Sequence, residues 1–183
     1  CNVAKWLAID PFNLHFSVSN GSGYDIACGI STQPLSYRTI QQKSSYELID
    51  FNPVFADQLY FIHLNQKQIS DREVSRYSEL KEAIDLTAVA QTFSELTDQI
   101  IACKDMSTFE NLLVEHENLM SHVLQRDTIK ESLFQMYAGG VIKSLGAWGG
   151  DFVMVTAKTP EDLNYFKEKG FKTILPWNEM IAP

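Results

Sequence analysis

The chain has 183 residues, 45% hydrophobic and 21% charged, with a net charge of −8. That length accommodates one substantial core or two small ones, and the composition is that of an ordinary globular protein. The acidic balance and the lack of any Lys/Arg run argue against a general nucleic-acid surface. No apolar stretch approaches the ~20 residues that span a bilayer, and no signal peptide is visible.

Residues 2–9 read as the end of a helix stopped by Asp10-Pro11, with Val3, Ala4, Leu7 and Ala8 at helical spacing. Leu14, Phe16 and Val18 alternate with polar neighbours and predict a short strand. The glycine turn Gly21–Gly23 follows, then a brief helical or irregular piece from Tyr24 to Gly29. Leu35–Ile40 and Tyr46–Ile49 read as paired strands joined by the polar turn Gln41–Ser45, and Leu59–Leu64 as an interior strand. Ser70-Asp71-Arg72-Glu73 is a capping box that opens a helix to about Ile84. A second helix covers Thr87–Cys103, with Val89, Phe93, Leu96 and Ile100 on one face. Ser107–Glu110 repeats the capping box before a helix to Leu124, and Thr128–Tyr137 forms another. Val141–Leu145 and Phe152–Thr156 read as a strand pair, Pro160–Lys169 as a helix closed by Gly170, and Phe171–Leu175 as a last strand. Strands segregated from a central block of helices define an α+β chain.

Two glycine clusters carry the chemistry. In Ser19–Ala27, the small residues Gly21, Ser22 and Gly23 precede Asp25, so the backbone can approach a ligand beside a carboxylate. The second cluster is Gly146-Ala147-Trp148-Gly149-Gly150, between two strand-like runs. Each also fits an ordinary turn, and Asp25 fits a helix cap. His116-Glu117 begins like a zinc-protease motif, but Met120 stands where the second His is required. His116 and His122 are therefore expected on a solvated helix surface, and Lys143 on a strand facing solvent. Cys1, Cys28 and Cys103 lack metal-ligand spacing and fit free thiols in a reducing cytoplasm.

Ser22-Gly23-Tyr24-Asp25 and Lys143-Ser144-Leu145-Gly146-Ala147-Trp148-Gly149-Gly150, in this order and with helices between them, resemble two of the three motifs of the GHMP kinases. That family is named for galactokinase, homoserine kinase, mevalonate kinase and phosphomevalonate kinase. The resemblance covers nearly the whole chain, and Gly23–Ala27 looks like a bacterial branch of the family. It implies residues 1–57 as the remainder of an N-terminal kinase domain and 58–183 as a C-terminal ferredoxin-like α+β domain. It also implies a cytoplasmic kinase using ATP and Mg²⁺ on a small metabolite, with Asp25 polarising the acceptor hydroxyl. Gly21, Ser22, Gly23, Lys67 and Ser70 would face the substrate, and Gly146–Gly150 would form the glycine-rich loop.

The family's nucleotide loop would lie upstream of Cys1. By this reading, a preceding segment or a second chain completes the ATP site, and these 183 residues alone are inactive. Leu14 and His15 occupy the neighbourhood of the family's Mg²⁺-binding Glu, Trp148 replaces a glycine, and Asp151 follows the cluster. Metal ligands are accordingly unassigned. These departures admit an alternative, a catalytically silent relative that binds a metabolite or a protein. A second alternative is an unrelated α+β interaction domain.

Overall fold

The computed structural model describes residues 2–19, 21–40, 43–66, 86–146 and 150–181. The chain divides into two compact units, Cys1–Asn52 and Pro53–Pro183.

The first unit contains helices α1 (Asn2–Leu7), α2 (Pro11–Val18) and α3 (Tyr24–Ile30), followed by strands β1 (Leu35–Ile40) and β2 (Lys43–Leu48). The expected strand through Leu14, Phe16 and Val18 is instead helix α2. Asp10 caps it, accepting from the Asn13 amide at 2.8 Å, and Pro11 enters the first turn with its φ already fixed. The apparent alternation has no buried face behind it, since no residue of α2 is buried. The hairpin pairs antiparallel from Leu35↔Leu48 to Ile40↔Lys43, so β2 begins three residues earlier than expected.

The second unit is built around a four-stranded antiparallel sheet of β3 (Leu59–His63), β4 (Ile142–Ser144), β5 (Phe152–Thr156) and β6 (Ile174–Pro176), in the order β4-β5-β3-β6. Helices α4 (Thr87–Ala102), α5 (Met106–Leu124) and α6 (Ile129–Leu133) lie between β3 and β4 in the chain. A 3₁₀ turn (Pro160–Leu163) and α7 (Asn164–Glu168) lie between β5 and β6, and α8 (Trp177–Met180) follows. This is the ferredoxin-like β-α-β-β-α-β arrangement. The expected central strand is β3, paired on both sides. The Ser70-capped helix lies outside the described residues.

Several helix ends differ from expectation for local reasons. Asp105, not Ser107, caps α5, accepting from the Thr108 amide at 2.7 Å. Glu110 is then free to accept from the buried Thr156 hydroxyl. Thr128 and Glu131 form the reciprocal box of α6, which ends at Leu133, so Phe134 enters the core. The predicted helix at 160–169 starts as a 3₁₀ turn held by Asp162 on the Thr159 amide, at 2.9 Å. Gly170 closes α7 at φ +91°, in the left-handed region that favours glycine. The last strand begins three residues late because Phe171 packs against Phe134, with ring centroids 5.3 Å apart.

Ile62, Ile142, Val153 and Val155 of the sheet pack with Phe134, Tyr137, Leu163 and Phe166 in one core. Fully burying a side chain of this size contributes about 1.5–3 kcal/mol. Two glycines permit the close approach at one edge. A Cβ on Gly139 would stand 2.6 Å from Asp162 Cβ, and one on Gly140 would collide with Thr156. Tyr137 Oη donates to the Thr156 carbonyl at 2.6 Å across this contact.

Candidate functional site

The first glycine turn is held by side chains from outside it. Gly23, at φ +82°, occupies the N-cap position of α3 and is buried. A Cβ there would lie 3.1 Å from both Phe16 Cζ and Tyr37 Oη, so the turn requires glycine on two counts. Tyr37 Oη donates to the Ser22 carbonyl at 2.5 Å, and Ser44 Oγ approaches the same oxygen at 3.3 Å. His15 Nε2 lies 3.2 Å from the Gly21 carbonyl oxygen. Within the turn, Ser19 Oγ accepts from the Gly21 amide at 3.0 Å, and Ser22 Oγ from the Tyr24 amide at 3.3 Å.

Asp25 follows as an exposed residue in the first turn of α3. The cap position belongs to Gly23, so Asp25 is not the capping residue. One residue earlier, Tyr24 packs edge-on against Tyr37, with centroids 5.7 Å apart. A hydrogen bond with Cys28, partial burial, and the nearby Cys28 and Asp25 push the Tyr24 hydroxyl up to about 12.

The second cluster begins beside a buried ionic contact. Lys143 Nζ lies 3.0 Å from Glu117 Oε1, and Ser144 Oγ donates to the same oxygen at 2.7 Å. Lys143 is thus paired against α5, not directed into solvent. A neutral alternative strand residue would leave the Glu117 carboxylate buried without its cation. His116, expected on the surface, is half-buried and packs edge-on against Phe93 at 4.9 Å. Burial, reinforced by the Lys143 charge and opposed by Glu117, pushes its imidazole down to about 4. Among the described residues, its Nδ1 has no hydrogen-bond partner. His122 is exposed, as expected.

Gly146, at φ +58°, and buried Gly150 bound the loop, while Ala147, Trp148 and Gly149 lie outside the described residues. So do Lys67 and Ser70. Gly21, Ser22, Gly23 and Asp25 are brought together as one turn. The residues that sequence reasoning missed are its supports, Tyr37, Ser44 and His15, together with Glu117. The only advance signal at Glu117 was its place in an incomplete metal motif. Among the described residues, no group of three His, Cys, Asp or Glu side chains could hold a metal ion. No described helix is long and apolar enough to cross a membrane.

No family model and no curated protein match the sequence. The fold does have solved counterparts. The chain is similar to the crystal structure of L. major mevalonate kinase in complex with R-mevalonate. That match has a TM-score of 0.65 and 16% identity, over 86% of this chain and 52% of that one. It is also similar to the Lin0012 protein from Listeria innocua, with a TM-score of 0.56 and 21% identity, over 73% of this chain and 41% of that one. At these identities the likeness is one of fold, a GHMP-kinase-like α+β fold. The chain spans 52% of the length of the mevalonate kinase and 41% of that of the Listeria protein.

Proposed function

We propose that this chain is part of an ATP-dependent small-molecule kinase of the GHMP type, which phosphorylates a hydroxyl or phosphate of a metabolite. The observation that supports it best is the fold likeness to a mevalonate kinase over 86% of the chain. The exposed Asp25, on a turn buttressed from behind, is consistent with it.

In this reading the acceptor oxygen attacks the γ-phosphorus of ATP. The bond to the bridging oxygen breaks and ADP leaves with that electron pair; where the acceptor is a hydroxyl, its proton passes to Asp25. Phosphoryl transfer asks little of a protein beyond positioning and charge stabilisation, so one well-placed carboxylate suffices. Gly21, Ser22 and Gly23 let the acceptor approach the backbone beside Asp25, while Lys67 and Ser70 as substrate contacts and Gly146–Gly150 as the glycine-rich loop are assigned by the family resemblance alone. ATP enters with its Mg²⁺ as a substrate. Among the described residues no three His, Cys, Asp or Glu side chains converge, and no step is routed through a resident metal. The phosphate loop and a catalytic cation come from polypeptide outside these residues, either a preceding segment or a second chain.

The test is transfer of label from [γ-³²P]ATP by the full-length protein to R-mevalonate and then to a panel of hydroxylated and phosphorylated metabolites. Labelled product that depends on Asp25 supports the reading. ATP or metabolite binding without transfer favours the catalytically silent alternative. One observation favours that second reading: His15, near the place of the family's metal-binding Glu, is engaged by the Gly21 carbonyl.

A further inference from the structure

Three consecutive residues immediately before Asp25 meet one side chain of the β1–β2 hairpin. Tyr37 Oη donates to the Ser22 carbonyl at 2.5 Å. The same oxygen fills the space that a Cβ on Gly23 would crowd, at 3.1 Å. Its ring stands edge-on to Tyr24, with centroids 5.7 Å apart. A second strand of the hairpin reinforces the contact, because Ser44 Oγ reaches the Ser22 carbonyl at 3.3 Å and Thr39 Oγ1 lies 3.3 Å from Ser44 Oγ.

Glycine enters the left-handed and extended basins with comparable ease, so Gly23 alone does not determine where the following residue goes. Fixing the Ser22 carbonyl fixes the plane of the Ser22–Gly23 peptide. The aromatic contact on Tyr24 then sets the start of α3. Both act within the three residues before Asp25. We propose that Tyr37 is a positioning residue for Asp25, selecting the left-handed conformation of Gly23 and so the placement of the carboxylate. The structural part stands on the geometry alone, and the catalytic consequence rests on the kinase reading of Asp25.

The test compares Tyr37→Phe with Tyr46→Phe in the full-length protein. Tyr46 is the cross-strand partner of Tyr37 in the hairpin register and stacks on Phe12 at 6.4 Å. Its substitution removes the same atom from the same hairpin, and among the described residues that hydroxyl makes no hydrogen bond to the turn. Amide hydrogen exchange is followed across residues 21–27, and thermal melts accompany it. Loss of one neutral hydrogen bond accelerates exchange by roughly fivefold, and this is expected for Tyr37→Phe in that segment only. Tyr46→Phe should exchange like the parent protein. Unchanged exchange at 21–27 in Tyr37→Phe, or faster exchange throughout residues 1–52, would overturn the proposal.

Turnover with ATP and R-mevalonate provides a second readout. Tyr37→Phe should lower kcat by about tenfold to hundredfold with KM for ATP unchanged, since small misplacements of a reacting group have effects of that order. Asp25→Asn is measured beside it. If Asp25→Asn turns over normally, the kinase reading of Asp25 fails, and the exchange result still decides whether Tyr37 sets the turn. If Asp25→Asn is inactive but Tyr37→Phe matches the parent in both exchange and kcat, the positioning role fails alone.

Discussion

Glu117 Oε1 accepts from both Lys143 Nζ, at 3.0 Å, and Ser144 Oγ, at 2.7 Å, tying the middle of α5 to the end of β4. The two side chains are 7% and 15% exposed, so neither charge is well solvated. Such a pair adds little relative to apolar residues of the same shape, yet breaking it by halves leaves one buried charge without a partner.

Lys143→Met should therefore destabilise the protein by about 3–5 kcal/mol, and Glu117→Leu similarly. The double variant should recover a large part of that loss. Urea unfolding of the three variants measures this directly, and strictly additive losses would show that the pair is not coupled.

His116 supplies a pH signature. Its imidazole, held down to about 4, takes up a proton in the folded state far less readily than the unfolded residue near 6.5. Between those values the unfolded chain binds more protons, so the His116 contribution is complete above pH 6.5 and is lost as pH falls towards 4. His116→Phe keeps the edge contact with Phe93 and should flatten melting temperature across that window. Asp105 and Glu131, lowered by hydrogen bonds from Thr108 and Thr128, lose their contributions in the more acid range and serve as an internal contrast.

Gly23→Ala and Gly146→Ala separate backbone conformation from crowding. Both glycines have positive φ, +82° and +58°, which costs an L-residue about 1–2 kcal/mol. Among the described residues, only at Gly23 does the new methyl meet neighbours, Phe16 and Tyr37 at 3.1 Å, adding about 1–3 kcal/mol. Among the described residues, nothing lies within 4 Å of a Cβ on Gly146. Gly23→Ala should be the more destabilising in thermal melts, and equal losses would count against the crowded turn.

Asp25→Asn should lower kcat of the full-length protein by about 10²–10⁴-fold. The melt should move little, because Asp25 is exposed and the cap position is Gly23. An acid in the first turn contributes about 0.3–1 kcal/mol through the helix dipole. Normal turnover in this variant would remove the carboxylate from the proposed chemistry.

The parts of the fold that the sequence announced are those fixed by local pattern. Leu59–His63 and Phe152–Thr156 are short apolar runs at the centre of a sheet, and the face of α4 follows 3.6-residue spacing through Leu96. The errors arise where two local signals compete. Asp10-Pro11 is a stop for α1 and a start for α2, and only the start explains why Leu14, Phe16 and Val18 fail to form a strand. Ser107 and Asp105 both offer caps two residues apart, and Glu110 is drawn to Thr156 instead of completing a box. At the site, Gly23 and Asp25 stand out in the sequence because their chemistry is local. Tyr37 and Glu117 do not, because their partners are 15 and 26 residues away and no spacing rule links them.

The strand order of the second unit also governs when it can come together. β3 is made first yet lies in the interior of the sheet, and both its neighbours, β5 and β6, emerge roughly ninety residues or more later. Until then its two rows of backbone donors and acceptors have no sheet partners, and Ile62 has no core to enter. A nascent chain on the ribosome must therefore shield this apolar ribbon through the synthesis of every intervening helix. Closure of the sheet is a late, non-local event with the slow kinetics such pairings impose.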